Sequence, residues 1–169
     1  MKQLILGGAR SGKSSYAQQL AVNTHKQVIY IATAFAGDEE MSKRIQIHQQ
    51  TRPKTWKLNE EQIALADTLS NLANKDTCLL VDCLTLWLSN LLCDKDSQLF
   101  QSQRDSFLDV LPQLPGDIIL VSNEVGQGII PTGALSRRFV DEAGWLHQSL
   151  TPLCDRVFFV TAGLPLSLK

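Results

Sequence analysis

The run Gly7-Gly8-Ala9-Arg10-Ser11-Gly12-Lys13-Ser14 fulfils the pattern G-x-x-x-x-G-K-[ST] at every position. In such a run the glycines let backbone N–H groups turn inward around a polyphosphate. Lys13 brings a point charge to its outer phosphates, and Ser14 brings a hydroxyl for Mg2+. The apolar segment Gln3–Leu6 precedes the run and a helical pattern over Lys13–Val22 follows it, so the anion also meets a helix N-terminus. Asp82 closes a second apolar segment, Thr77–Val81, at the place where a carboxylate can hold the hydration shell of Mg2+. Asp82 also suits the N-cap of a helix beginning at Leu84, and the two roles are compatible.

A second constellation occupies Glu39–Pro53. Read as a helix over Glu39–Gln50, the spacing of four stacks Glu40, Arg44, His48 and Arg52 along one side, and Pro53 ends the run. Guanidinium groups on either side disfavour imidazolium at His48. A neutral imidazole nitrogen is a nucleophile, and the arginines attract phosphate. The alternative is a surface or packing role. His25 and His147 lack such flanks and read as structural. The segment Ser122–Pro131 (SNEVGQGIIP) follows an apolar run and is expected to border a ligand, because open α/β sheets bind at the carboxyl ends of their strands; a plain strand-to-helix connection is the alternative. Arg137 and Arg138 either meet phosphate or face solvent.

The elements that must position these groups are legible as alternating runs. Gln3–Leu6, Gln27–Ala32, Thr77–Val81, Asp117–Val121 and Arg156–Thr161 are nearly continuous apolar strands, as a parallel sheet covered on both faces requires. Helical periodicity lies between them, over Lys13–Val22, Glu39–Gln50, Glu60–Ala73, Leu84–Leu92, Ser97–Leu111 and Leu135–Leu150. Thr55–Leu58 and Leu164–Leu168 read as short edge strands. Strands alternating with helices predict a three-layer α/β domain with a mostly parallel sheet, occupying residues 1–169 without an internal boundary.

With 169 residues, the chain has the length of one domain and can bury a core without metal or disulfide staples. Its net charge of −1 supplies no field that would draw it to nucleic acid or an anionic membrane. No apolar stretch reaches the length of a membrane span, and the N-terminus lacks the apolar core of a leader. Cys78, Cys83, Cys93 and Cys154 form no C-x-x-C pair, and reduced thiols in the cytoplasm are expected.

The segments GGARSGKS at 7–14, YIATA at 30–34, EMSKRIQIHQQTRPKTW at 40–56, VDCLTLWLSNLL at 81–92, NEVGQGIIP at 123–131 and RRFVDEAGWLHQ at 137–148 occur together and in order. Together they resemble the bifunctional adenosylcobinamide kinase / adenosylcobinamide-phosphate guanylyltransferase family of cobalamin biosynthesis, over essentially the whole chain. The resemblance implies a RecA-like P-loop fold and two reactions. A nucleoside triphosphate phosphorylates the hydroxyl of the aminopropanol arm of adenosylcobinamide. GTP then guanylylates a histidine, and GMP passes to adenosylcobinamide phosphate to give adenosylcobinamide-GDP. The family histidine falls on His48. Its nucleotide contacts fall on Gly7, Gly8, Ala9, Arg10, Ser11, Gly12, Lys13 and Ser14, on Ala32, Thr33 and Ala34, on Gln49, Gln50, Thr51 and Arg52, and on Glu60 and Asp82. Mg2+ is implied at Ser14 and Asp82, partly through water, with ATP and GTP as substrates. A homo-oligomer, a trimer, is implied as well. Glu124 is the candidate base of the kinase step. A simple P-loop kinase without nucleotidyl transfer and a nucleotide-gated binding module are the competing readings; the first requires His48 to be dispensable, the second a macromolecular stimulator.

Overall fold

The computed structural model describes residues 1–34 and 53–169. The expected helix over Glu39–Gln50 lies outside them. In chain order the described elements are β1 (Lys2–Gly7), α1 (Lys13–Asn23), β2 (Gln27–Ala32), β3 (Lys57–Glu60), α2 (Leu65–Leu72), β4 (Thr77–Asp82), α3 (Leu84–Cys93), α4 (Ser97–Val110), a 3-10 turn (Leu111–Gln113), β5 (Asp117–Asn123), α5 (Ala134–Leu153), β6 (Arg156–Thr161) and β7 (Leu164–Ser167). The strands form one sheet in the order β3-β2-β4-β5-β1-β6-β7. All pairs are parallel except β6–β7, a hairpin that closes one edge.

The central strands are apolar through their middles because both faces are covered. Successive side chains point to opposite faces. Leu4, Leu79, Val81, Ile118 and Leu120 therefore join α2, α3, α4 and α5 in one cluster. Ile5, Cys78, Leu80, Ile119 and Val121 meet α1 on the other face. The helix α1 presents Ala17 and Ala21, both fully buried, so its backbone lies close over the strands. The all-round apolar α3 is buried through Leu84, Trp87, Leu88 and Leu91. Trp87 stands edge-on to Phe107 of α4 at 5.2 Å and donates from its indole nitrogen to the Ile63 carbonyl at 2.8 Å. Asp96 caps α4, accepting from the Gln98 amide at 2.9 Å.

Two expectations shift. The periodicity over Glu60–Ala73 reads as one helix, but its first residue belongs to β3, which pairs with β2, and α2 begins only at Leu65. The carboxylate of Glu61 ends the strand by turning the chain. It accepts from the amides of Ile63 at 2.8 Å and Ala64 at 2.7 Å, so those donors cannot continue a helix back to Glu60. The edge strand expected at Thr55–Leu58 is displaced to Lys57–Glu60 for the same reason.

Candidate active site

The ends of β1, β2, β3, β4 and β5 lie on one edge of the sheet, since these strands are mutually parallel. The phosphate-loop residues leave β1 there. Gly7 is closed in: a Cβ on it would stand 2.4 Å from the Val160 carbonyl oxygen and 2.6 Å from Ser11 Oγ. Gly12 takes φ 96°, a left-handed conformation, as the N-cap of α1. The Ser11 amide donates to the Gly8 carbonyl at 3.3 Å, and the Gly163 amide of the β6–β7 turn donates to the Ser11 carbonyl at 2.8 Å. The loop is thus tied both to itself and to the edge hairpin. Lys13 is 8% exposed, and its ammonium donates to the Gly8 carbonyl at 3.1 Å. Burial lowers its pKa, offset in part by Cys83 and Asp82. A bound polyphosphate would add to the counter-charge that Asp82 gives this partly desolvated cation.

Asp82 ends β4, paired in register with Ala32 of β2, which in turn pairs with Glu60 of β3. The sequence-nominated Glu60, Ala32 and Asp82 therefore form one row across three strands. The Tyr30 hydroxyl donates to Asp82 Oδ2 at 3.0 Å. No side-chain cap bond joins Asp82 to α3, whose N-cap is Cys83. The N-cap reading of Asp82 is thereby displaced by one residue, and its carboxylate is left for the site. Ser14 and Asp82 offer a hydroxyl and a carboxylate. Mg2+ prefers hard oxygen donors, keeps several waters and takes one or two carboxylates together with substrate phosphates, so this donor pair fits it. Among the described residues no cluster of His, Cys, Asp and Glu could hold a metal unaided.

Thr33 and Ala34 follow β2. Thr33 is fully buried; its hydroxyl donates to the Cys83 carbonyl at 2.6 Å and accepts from the Cys83 amide at 2.9 Å. Asn90 of α3 donates to the carbonyls of Thr33 at 2.9 Å and Gln62 at 3.1 Å. The chain after β2, the chain after β3 and the turn after Asp82 are thus pinned together by two side chains. Sequence reasoning missed Tyr30 and Asn90. The only hint of Asn90 was a carboxamide in a helix otherwise dominated by leucine.

The end of β5 carries a third cluster. His147 of α5 is 6% exposed, and its Nε2 lies 2.7 Å from Ser122 Oγ. Its Nδ1 faces Glu124 Oε2 at 3.6 Å. Burial lowers the His147 pKa, and the neighbouring Glu124 opposes this. The residue is thus enclosed, as expected of a structural histidine, yet it has polar partners that the sequence did not reveal. Arg137 donates to the carbonyls of Pro131 and Thr132, holding the end of the glycine-bearing loop, and Arg138 lies over the Phe100 ring at 5.4 Å. Both arginines face structural partners. His48, with Arg44, Gln49, Gln50, Thr51 and Arg52, lies outside the described residues.

Comparison with known proteins identifies relatives of the chain. A family model described as "Cobinamide kinase / cobinamide phosphate guanyltransferase" matches residues 3–168. The bifunctional adenosylcobalamin biosynthesis protein CobP of Pseudomonas aeruginosa is 57% identical over 169 residues, covering 100% of this chain and 98% of the relative. The corresponding CobU protein of Escherichia coli is 35% identical over 182 residues, with all of both chains covered. Among solved structures, the RadB recombinase superposes with a TM-score of 0.53 at 13% identity, over 94% of this chain and 73% of that one. That likeness concerns the fold alone and marks it as RecA-like.

Proposed function

The chain belongs to the cobinamide kinase / cobinamide phosphate guanyltransferase family, and from that premise we propose how its residues divide the work of a bifunctional kinase and guanylyltransferase. The phosphate loop, Gly7 to Ser14, binds the triphosphate of ATP or GTP. Ser14 and Asp82 hold Mg2+, which when bound neutralises charge on the phosphates. Ala32, Ala34 and Glu60 contact the nucleotide from the neighbouring strand ends, together with Gln49, Gln50, Thr51 and Arg52, while Thr33, fully buried against Cys83, holds this edge in place rather than touching the ligand. The observation that carries this reading is the enclosure of Lys13 between the Gly8 carbonyl and the end of β4.

In the kinase step the hydroxyl of the aminopropanol arm of adenosylcobinamide takes the γ-phosphoryl group. The chain's task there is positioning and charge neutralisation, supplied by Lys13 and the loop amides. In the second step a ring nitrogen of His48 attacks the α-phosphorus of GTP. A P–N bond forms and pyrophosphate departs. Arg44 or Arg52 offsets charge on the equatorial oxygens. The GMP group then moves to adenosylcobinamide phosphate, giving adenosylcobinamide-GDP. The covalent intermediate divides one hard transfer into two easier ones.

The protein acts on small molecules. Among the described residues no helix is long and apolar enough to cross a membrane. Its proposed location is the cytoplasm, and its proposed assembly is a homotrimer. An assembly has apolar surface to cover, including Ile129, Ile130, Leu164 and Leu166, all exposed. The whole chain, residues 1–169, is proposed to act as one nucleotide-binding domain.

The deciding experiment incubates wild type and His48→Asn with α-labelled GTP and Mg2+, then denatures both. Acid-labile, alkali-stable label on the wild type alone is expected. Absence of label, with γ-phosphate still reaching cobinamide, would remove the covalent step and leave a kinase.

A further inference from the structure

The strand β5 lies between β4, which ends in Asp82, and β1, which opens the phosphate loop. The residue that follows β5 is Glu124, and its amide donates to the Gly7 carbonyl at 3.0 Å. Among the described residues, four carboxylates end strands or directly follow them on this edge: Glu60, Glu61, Asp82 and Glu124. Glu61 is spent on the amides of Ile63 and Ala64. Glu60 belongs to β3, four strand spacings from β1, or about 19 Å at roughly 4.8 Å each. Asp82 accepts from the Tyr30 hydroxyl, and its charge favours the Lys13 ammonium. Glu124 is the carboxylate next to the phosphate loop that is committed to neither a cation nor a metal.

His147 stands beside its carboxylate, held from behind by a series of hydrogen bonds whose direction can be deduced. His147 Nδ1 is buried without a hydrogen-bond partner and faces the Glu124 carboxylate, an acceptor only, so Nδ1 carries the proton. Burial disfavours a second proton on the ring. Nε2 is then an acceptor, and the Ser122 hydroxyl must donate to it. Thr85 Oγ1, 3.5 Å from Ser122 Oγ, donates in turn, and its own oxygen accepts from the Asn123 amide at 2.6 Å. One neutral tautomer satisfies the bonds from Nε2 back to the Asn123 amide and leaves the Nδ1 proton aimed at Glu124 Oε2, 3.6 Å away. A phenylalanine or leucine would fill the place of His147 without any buried polar atom, so packing alone does not account for the imidazole. On the other side, Glu124 Oε1 accepts from the Gly126 amide at 2.6 Å. Oε2, 3.6 Å from His147, is the less engaged oxygen. The Glu124 side chain is 21% exposed, which gives the carboxylate access to solvent.

The geometry points to Glu124 as the general base of the phosphoryl-transfer step, with His147 as the positioning residue that aims its carboxylate. The inference rests on the kinase reading above. Glu124 Oε2 takes the proton of the acceptor's hydroxyl as that oxygen bonds to the γ-phosphorus. The bond from the γ-phosphorus to the β,γ-bridging oxygen breaks and the nucleoside diphosphate leaves. Glu124, now a neutral carboxyl, returns its proton to water when the product departs.

Full-length wild type, Glu124→Gln and Glu124→Asp are compared in two assays: steady-state transfer from ATP to adenosylcobinamide, and single-turnover labelling by α-labelled GTP, which needs no acceptor hydroxyl. A general base contributes about 10²–10⁴-fold. Glu124→Gln is expected to lose about that much kcat, with nucleotide KM and labelling within about threefold of wild type. Glu124→Asp, which keeps a carboxylate, is expected to regain about tenfold or more of the loss. A kcat loss below about tenfold, a parallel fall in labelling, or an Asp variant no better than Gln would overturn the assignment. Wild type inert toward adenosylcobinamide but competent in labelling would strike the kinase reading itself, a failure visible before any variant is compared.

Discussion

The Tyr30 hydroxyl donates a 3.0 Å hydrogen bond to Asp82 Oδ2 across the β2–β4 pair. Tyr30 lies two residues before Ala32, the register partner of Asp82, so its ring reaches forward along the sheet to the carboxylate. Hydrogen bonds to a charged acceptor contribute about 1.5–3 kcal/mol. Tyr30→Phe is expected to release Asp82 from one orientation and to raise the Mg2+ concentration for half-maximal kinase rate by about three- to tenfold. Titration of Mg2+ at saturating nucleotide measures it. An unchanged Mg2+ requirement would mean that Tyr30 does not orient the carboxylate.

Thr33 makes a different kind of tie. Its hydroxyl bonds both the amide and the carbonyl of Cys83, and it has no access to solvent. Thr33→Val keeps the shape but leaves the Cys83 amide without this acceptor. An unsatisfied buried donor costs about 1–3 kcal/mol, and urea unfolding is expected to show a loss of that size. Retention of full stability would place a water or another acceptor at Cys83.

Much of this edge was legible in the sequence because its chemistry is local. The phosphate loop and both its flanks are read from residues 1–23, and β2 and β6 match the structure at both ends. What escaped was set by partners far along the chain. Glu60 fits a helix by periodicity, but its pairing with Ala32, 28 positions earlier, places it in a strand. Asn90 looks like an interruption of an apolar helix until Thr33, 57 positions away, comes beneath it. The partner of His147, Ser122, lies 25 positions earlier. A spacing of three or four reports neighbours on one helix and is blind to such pairs. The His48 helix remains a sequence reading, since it lies outside the described residues.

The two first glycines of the phosphate loop offer a paired test of close packing. A Cβ on Gly7 would meet the Val160 carbonyl oxygen at 2.4 Å, whereas a Cβ on Gly8 meets nothing within 4 Å. Gly7→Ala must push β1 from β6 or distort the loop, and overpacking of this kind costs about 1–3 kcal/mol. Gly8→Ala is expected to stay within about 0.5 kcal/mol of wild type. Thermal unfolding of both variants without nucleotide checks the contrast, and equal losses would refute the packing argument.

Lys13 gives a pH dependence with a definite sign. Burial holds its pKa below the ordinary value of 10.5, against the pull of Cys83 and Asp82. The folded chain therefore releases this proton at lower pH than the unfolded chain does. Between those two pKa values the unfolded state binds more protons, and the Lys13 contribution to stability rises with pH. Nucleotide binding has the opposite sign. Phosphate favours the ammonium, so binding raises the Lys13 pKa and takes up a proton over the interval between the free and bound values. Affinity must then fall as pH climbs through the free-enzyme pKa. Calorimetry in two alkaline buffers of different ionisation enthalpy is expected to show proton uptake on GTP binding. Lys13→Met should abolish both that uptake and most of the nucleotide-induced rise in Tm. Uptake that persists in Lys13→Met would assign the proton to another group.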